Sequence, residues 1–215
     1  MSTSLTRRQV AKGATWATPV VAATAAVPAY AASPAPQYYI GKSVTANYIR
    51  TGCTINRFYL STSVPVSPEV AGFSVGHIGN TTVGDTTATL SGLTFTFAVP
   101  RRMVNNPTVD NPAWTISGPV QQSTLTGRGG ATFNTTNYDI YTLQFNGAST
   151  NPVVGENATQ TWPGTAFTVT GTSGSYCYSS GTIYSGYNLQ SMTLTNGRAQ
   201  WNNYSNIESR PINQV

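Results

Sequence analysis

Hydrophobic and polar residues alternate along several short segments of this chain. In residues 93–99, Leu, Phe, Phe and Val occupy the odd positions, while Thr, Thr and Ala occupy the even positions. Residues 141–145 repeat the pattern with Tyr, Leu and Phe at alternate positions. A period of two is typical of a half-buried β-strand, so both segments are predicted to be strands.

Turn residues and shorter runs predict further strands. Residues 192–201 hold Asn196-Gly197 between two alternating runs, which predicts a hairpin with a type I′ turn. Residues 44–60 and 167–170 are rich in residues that favour strands. Residues 104–126 have weak patterning, and we expect a long crossover there.

The segments together predict the fold class. No segment after residue 31 shows the capped, 3.6-residue periodicity of an amphipathic helix. Short strands at this spacing predict an all-β protein, with a single β-sandwich over residues 43–215 that is immunoglobulin-like in broad architecture. Residues 32–42 are predicted to form an extended N-terminal arm. A chain of this size buries roughly 70% of the surface of its unfolded state, so its core needs no metal.

The first 31 residues have the pattern of an export signal. Arg7 and Arg8 open it, a weakly apolar stretch follows over residues 13–27, and Ala29 and Ala31 supply the small residues of a cleavage site. The adjacent arginines favour the twin-arginine route. An uncleaved membrane anchor is the alternative, but the apolar stretch is shorter than the ~20 residues that span a bilayer. We therefore predict cleavage after residue 31 and no membrane span in the mature protein.

This leader resembles those of a known group of proteins. Residues 7–21 (RRQVAKGATWATPVV) and 29–33 (AYAAS) are similar to the leaders of small exported actinobacterial proteins with a twin-arginine signal. Residues 93–100 and 112–115 also resemble segments of those proteins. The resemblance implies export and a β-rich mature domain, and it carries over no catalytic residue.

Charge narrows the range of partners. Charged residues are 8% of the chain, against about 25% in typical soluble domains. Three of the 11 basic residues lie in the predicted leader, which leaves eight basic and six acidic residues in the mature chain. No basic patch is then left in the sequence pattern, so nucleic acid is not an expected partner.

The cysteines predict one covalent crosslink. Cys53 and Cys177 both remain after export, and an even number of cysteines in an exported chain indicates a disulfide. Two free buried thiols are the alternative. A disulfide would join an early strand to a late one.

The residues of common catalytic sites are scarce. His77 is the single histidine, so neither a Ser-His-Asp triad nor a usual zinc site is expected, and we predict no metal and no cofactor. Two carboxylates could still converge to form a glycoside hydrolase site. A Lys–Asn amide bond at Lys42 is a further alternative, although a solvated lysine is the simpler interpretation. The leading prediction is that the protein is not an enzyme.

A tyrosine cluster is the candidate binding surface. Tyr176, Tyr178, Tyr184 and Tyr187 lie in a Ser- and Gly-rich stretch, a composition that forms adaptable contact surfaces. Local packing around the cysteine is the alternative. We therefore expect a secreted or non-covalently surface-associated interaction protein whose partner is a cell-envelope polymer or another surface protein. A carbohydrate-binding module that uses these tyrosines is the second hypothesis, and the oligomeric state is left open.

Overall fold

The structure is a computed structural model, and it describes residues 37–42, 44–62, 71–78, 86–153, 159–172, 174–178, 180–194 and 200–215. Strands dominate these residues, which contain no α-helix and one short 3-10 turn (Arg128–Gly130). None of their elements is a helix long and apolar enough to cross a membrane. The predicted leader, with Arg7, Arg8, Ala29 and Ala31, lies outside the described residues and stays a prediction.

The strands are numbered in chain order. They are β1 (Gln37–Lys42), β2 (Thr45–Thr51), β3 (Thr54–Ser61), β4 (Phe73–Ile78), β5 (Thr86–Ser91), β6 (Thr94–Pro100), β7 (Asn105–Val109), β8 (Trp114–Val120), β9 (Thr124–Thr126), β10 (Thr132–Asn134), β11 (Tyr138–Phe145), β12 (Thr150–Val153), β13 (Thr159–Thr161), β14 (Thr168–Thr172), β15 (Gly174–Ser175), β16 (Ser180–Leu194), β17 (Gln200–Ser205) and β18 (Glu208–Gln214).

The main sheet follows the order β7-β14-β3-β2-β18-β16-β6-β11-β8. All neighbours in this path are antiparallel except β18 and β2, which are parallel. The two end strands, β7 and β8, are consecutive in the chain and are joined by residues 110–113. The Asp110 carboxylate accepts a hydrogen bond from the Thr168 N–H at 2.7 Å, which fixes this connection against β14.

Side chains from strands that are distant in this path meet in the core. The rings of Phe58 on β3 and Phe97 on β6 stack with centroids 6.2 Å apart. Trp114 on β8 contacts Phe167, just before β14, at 5.0 Å. The sheet is therefore folded onto itself as two layers around one aromatic core, which confirms the predicted all-β sandwich. The largest fully buried side chains of this core are Trp162, Tyr48, Tyr141, Tyr187, Phe58, Phe73, Phe95, Phe97 and Phe167.

β16 is the longest strand described, and it takes part in four pairings. Its first half pairs with β18 and β6, and its second half pairs with β17 and β5. The pairing of Met192 with Trp201 shows that β16 and β17 are antiparallel neighbours, as the predicted hairpin requires. The Asn196-Gly197 turn itself lies outside the described residues.

The predicted extended N-terminal arm, residues 32–42, is described only over Gln37–Lys42, which form β1 and pair with β4 in a smaller sheet of order β1-β4-β13. One part of the sequence interpretation needs correction. Residues 104–126 are not a crossover, because they contain β7, β8 and β9. β7 and most of β8 are exposed, so neither strand needs the apolar alternation that reveals a half-buried strand.

A second, smaller cluster lies on the opposite face of the sheet. Ala98 and Ile140 are in this cluster, while their neighbours Phe97 and Tyr141 point into the main core. Successive side chains of a strand point to opposite faces, so the β6–β11 pair is covered on both sides. Phe133, on the two-stranded β9–β10 hairpin, packs against this outer cluster.

Candidate functional site

The predicted disulfide is present and joins Cys53 to Cys177 across a sequence separation of 124. Cys53 lies in the turn between β2 and β3, and Cys177 lies in the segment that follows β15. Both residues are exposed. The bond therefore fastens a late surface segment, residues 174–178, to the β2–β3 turn.

Residues 174–178 are also packed against the turn that follows β6. The Ser175 N–H donates to the Arg102 carbonyl oxygen at 2.5 Å. Gly174 lies so close to this turn that a Cβ atom there would be 1.8 Å from the Met103 carbonyl oxygen. Since real Cβ contacts are never that short, only glycine allows this approach.

On its other side, the segment is held by β2 and the β2–β3 turn. The Tyr176 N–H donates to the Cys53 carbonyl oxygen at 2.8 Å. One guanidinium nitrogen of Arg50 donates to the Cys177 carbonyl oxygen at 3.0 Å and to that of Gly52 at 2.6 Å. Residues 174–178 are thus held by three elements: β2, the β2–β3 turn and the turn that follows β6.

Two of the four predicted tyrosines lie in this segment. The Tyr178 side chain is 70% exposed, and its ring centroid is 5.4 Å from that of the half-buried Tyr176. The Tyr48 hydroxyl, from the core side, donates to the Tyr178 carbonyl oxygen. The two ring planes differ by 60°, so they do not form the coplanar platform expected of a stacking carbohydrate-binding surface.

The other two tyrosines lie elsewhere. Tyr187 is fully buried and contacts Phe95 at 4.9 Å, so its assignment to a binding surface is wrong. Tyr184 stacks on Phe133 at 4.6 Å and covers the outer cluster with Tyr138. Tyr184 and Tyr187 are three residues apart on one strand, which places them on opposite faces.

Three arginines belong to the elements that hold residues 174–178. Arg101 and Arg102 are both exposed, and Arg50 binds the segment through neutral carbonyl oxygens. Of the ion pairs seen in the described part of the chain, both involve Glu208 and neither involves these three arginines. We refer to Arg50, Arg101, Arg102, Tyr176 and Tyr178 as the basic-aromatic end.

Each acidic residue that the structure describes has a structural contact. The buried Asp139 carboxylate accepts hydrogen bonds from the Arg102 N–H at 2.9 Å and from the Gln121 amide at 3.4 Å. The Asp110 carboxylate accepts a hydrogen bond from the Thr168 N–H, and a Glu208 carboxylate oxygen lies 3.2 Å from a guanidinium nitrogen of Arg128. The remaining acids, Glu69, Asp85 and Glu156, lie outside the described residues.

The structure assigns no metal site to the residues it describes. Within them, no three His, Cys, Asp or Glu residues come together in a way that could hold an ion. His77 lies near the end of β4, and Lys42 is the last residue of β1. The predicted absence of metal and cofactor stays a prediction.

An open groove of about 520 Å³ lies between the 3-10 turn and β17. We call it the Arg128 groove, after the arginine at its wall. The Arg128 N–H donates to the Ile207 carbonyl oxygen at 3.1 Å, which anchors the turn beside β18. The residues that line the groove are small or polar apart from one aromatic ring: Thr126, Gly127, Arg128, Gly129, Gly130, Asn203, Tyr204 and Ser205.

Two tyrosines near these surfaces have altered acidity. Burial, with a further contribution from Tyr184, raises the pKa of Tyr138 to about 12. Burial also raises the pKa of Tyr204, and Glu208 adds to this effect while the Arg128 charge opposes it. The Tyr204 hydroxyl therefore lies within the electrostatic field of the groove's ion pair, and it stays protonated at neutral pH.

Sequence reasoning did not find Arg50 or Tyr204, because neither belongs to a recognisable motif. Residues 127–130 (GRGG) lack the lysine of a phosphate-binding loop and match no other motif. The run of glycines around one arginine is the sequence feature that could have identified the 3-10 turn at Arg128–Gly130. Gly129 and Gly130 have φ values of 64° and 81°, which glycine adopts without strain.

No family model and no curated protein matches this chain. Among solved structures, a cohesin module from a family 33 glycoside hydrolase of Clostridium perfringens is similar at 11% identity, with a TM-score of 0.29; the match covers 84% of this chain and 98% of that one. A target of the Northeast Structural Genomics Consortium is similar at 15% identity, with a TM-score of 0.23, over 84% of this chain and 88% of that one. No activity is transferred from either protein.

Proposed function

We propose that this chain is an exported, non-enzymatic interaction protein that binds an anionic polymer of the cell envelope through its basic-aromatic end. The observation that carries the proposal is an exposed tyrosine, Tyr178, on a segment held by a disulfide, by the Arg50 side chain and by the backbone of the turn that holds the exposed Arg101 and Arg102. None of these arginines has a carboxylate partner among the described ion pairs.

The disulfide supports the exported location. Disulfides form and persist in oxidising compartments and are rare in the cytosol. The leader with Arg7 and Arg8 has the pattern of a twin-arginine signal, and this route carries proteins that are already folded. A sandwich with a large aromatic core fits that route, because such a core can fold before export and the disulfide can then form in the oxidising compartment.

The chemistry of the basic-aromatic end supports an anionic partner. A guanidinium group presents planar donors that match phosphate and carboxylate oxygens, often two at a time. A tyrosine beside it offers a ring for apolar contact and a hydroxyl for hydrogen bonding. An alternating sugar and phosphate polymer presents both kinds of group.

Rigidity of the segment favours binding as well. Residues 174–178 are held by the Cys53–Cys177 bond, by the Arg50 contacts and by the Ser175–Arg102 hydrogen bond. A surface that is already ordered loses less conformational entropy when a ligand binds. The structural contacts of Asp110, Asp139 and Glu208 support a binding role over carboxylate-pair catalysis.

The test is sedimentation of the folded protein with insoluble cell wall that carries a phosphate-rich polymer. The same wall after removal of the polymer is the comparison. We expect wild-type protein to sediment only with the polymer-bearing wall, and we expect salt to weaken its binding because the contacts are charged. Equal binding to both wall preparations would overturn the proposal.

A matched pair of variants tests the surface. Arg101→Ala with Arg102→Ala removes two charges, and each lost charge-assisted contact of about 1.5 kcal/mol weakens binding about tenfold. Arg101→Lys with Arg102→Lys is the control, because it keeps both positive charges at the same positions. The proposal fails if the control and the double variant bind equally well.

A further inference from the structure

We infer that the Arg128 groove is a second binding site, and that it takes a short anionic saccharide, one that carries carboxylate or phosphate groups. This inference goes beyond the proposed function, because none of the residues of the basic-aromatic end line the groove. It also does not depend on where the protein resides.

The two surfaces lie at different positions along β16. Tyr176 packs over Gly181 at the start of that strand, whereas Glu208, the ion-pair partner of Arg128, lies opposite Ser185, and Tyr204 lies opposite Leu189. At 3.3 Å per residue these two groove positions are about 13 Å and about 26 Å along the strand from Gly181.

The groove has the size and the lining of a saccharide site. Its volume of about 520 Å³ falls within the range of roughly 300–1,000 Å³ typical of small-molecule sites. Thr126 and Ser205 contribute hydroxyl groups, and Asn203 contributes an amide. Tyr204 adds an aromatic ring, so the wall matches a ligand with many hydroxyl groups and one apolar ring face.

Charge at the groove wall favours an anion. One Arg128 nitrogen lies 3.2 Å from a Glu208 oxygen, and Arg210 lies 3.9 Å from the other oxygen of the same carboxylate. Two guanidinium groups and one carboxylate leave a net positive charge. The Arg128 side chain is 69% exposed, and the Glu208 contact uses only one of the five N–H donors of a guanidinium group.

Close backbone packing shapes the groove. A Cβ atom at Gly127 would lie 2.3 Å from the Phe133 ring and 2.6 Å from the Ile207 carbonyl oxygen, so this glycine allows the turn to pack tightly. On the opposite wall, Asn203 has a φ of 51°, a left-handed conformation that asparagine adopts more readily than other non-glycine residues.

The test is a calorimetric titration of the folded protein with four probes: digalacturonate, glucose 6-phosphate, a neutral galactose disaccharide and inorganic phosphate. We expect at least one of the two anionic sugars to bind about tenfold more tightly than the neutral disaccharide and more tightly than inorganic phosphate. Preference for digalacturonate identifies a carboxylate ligand, and preference for glucose 6-phosphate identifies a phosphate ligand. Failure of both anionic sugars to bind more tightly than the other two probes overturns the inference.

Variants separate this site from the basic-aromatic end. Arg128→Gln removes the charge and should weaken binding of the anionic sugar about tenfold, while the same change at Arg57, an exposed arginine on β3 that does not line the groove, should have no effect. Tyr204→Phe should weaken sugar binding less than Arg128→Gln does, because the aromatic ring remains.

The Arg101→Ala and Arg102→Ala double variant should bind the sugar normally even if it no longer binds the wall polymer, so either proposal can fail without the other. Unchanged affinity of Arg128→Gln overturns the inference, and its thermal unfolding confirms that it is folded.

Discussion

Tyr187 and Asn206 form a reciprocal pair of hydrogen bonds. The Tyr187 N–H donates to the Asn206 side-chain oxygen at 2.5 Å, and the Asn206 N–H donates to the Tyr187 carbonyl oxygen at 2.9 Å. This pair lies where β16 leaves β18 and begins to pair with β17. An asparagine side chain thus replaces a strand partner at the junction between two neighbours of β16.

Removal of the Asn206 side chain should destabilise this junction. Asn206→Ala leaves the buried Tyr187 N–H without its acceptor, which costs about 1–3 kcal/mol of the free energy of unfolding. The measurement is urea denaturation followed by tryptophan fluorescence. Asn56→Ala is the matched control, because the Asn56 amide makes one exposed contact with Thr51, and its loss should cost under about 0.5 kcal/mol.

Tyr187 and Tyr178 should respond in opposite ways to truncation. Tyr187→Ala leaves a cavity among Phe73, Phe95 and Trp114 and should lower the free energy of unfolding by about 3–5 kcal/mol. Tyr178→Ala should change it by less than about 0.5 kcal/mol and should instead weaken binding to the wall polymer. Equal losses of stability in the two variants would contradict the burial described for Tyr187.

Reduction of the disulfide should lower stability substantially. The bond closes a loop of 124 residues, for which the chain-entropy relation gives about 5 kcal/mol. Cys53→Ser with Cys177→Ser should therefore unfold at much lower urea than the oxidised wild type. Wild type with reductant should behave like the double variant, and a difference between these two would mean that the serines themselves disturb the turn.

Alkaline pH should destabilise the sandwich through its buried tyrosines. Burial raises the pKa of Tyr138 to about 12 and raises that of Tyr187 as well, while an unfolded tyrosine ionises near 10. Above pH 10 the unfolded state loses these protons first, so the free energy of unfolding falls as the pH rises from 10 to 12 and beyond. Below pH 10 this contribution is constant.

Tyr138→Phe tests the pH effect directly. This change removes one ionisable group and should make the fall between pH 10 and 12 shallower. It also removes the hydrogen bond to the Thr182 carbonyl oxygen, so stability at pH 7 should be about 1 kcal/mol lower. Denaturant titrations at pH 7, 10 and 11 give both quantities, and an unchanged slope would contradict the role assigned to Tyr138.

Gly174 should be intolerant of a side chain. Gly174→Ala would place a methyl group against the Met103 carbonyl oxygen, and overpacking of this kind costs typically 1–3 kcal/mol. Because the clash is with backbone, the segment that carries Tyr178 should shift, and polymer binding should weaken too. Ser175→Ala, at the exposed neighbouring position, is the control and should preserve both stability and binding.

The sequence predicted the strands whose two faces differ. In β6 and β11, large side chains that enter the main core alternate with smaller or polar side chains, and residues 93–99 and 141–145 could be recognised on that basis although β6 is buried on both faces. β1, β7 and β8 were not predicted from the sequence. β1 is short, β7 and most of β8 are exposed, and the strands with which all three pair are distant in the chain. Pairing of that kind leaves no local pattern.

The candidate sites were predicted only in part. Cys53 and Cys177 were found because their pairing follows from their number. The tyrosine cluster was treated as one surface, although the odd spacing of Tyr184 and Tyr187 already places them on opposite faces of a strand. The Arg128 groove could not be predicted, since Arg128 and Tyr204 come from segments that are far apart in sequence and meet only in the fold.

The position of β16 in the chain has a consequence for biosynthesis. This strand joins four others, yet it follows β1 to β15 in the chain. The ribosome therefore synthesises fifteen strands before the centre of the main sheet exists, and non-local pairing of this kind folds slowly. The nascent chain thus exposes unpaired strand edges until β16 emerges, and it needs protection from aggregation during that time.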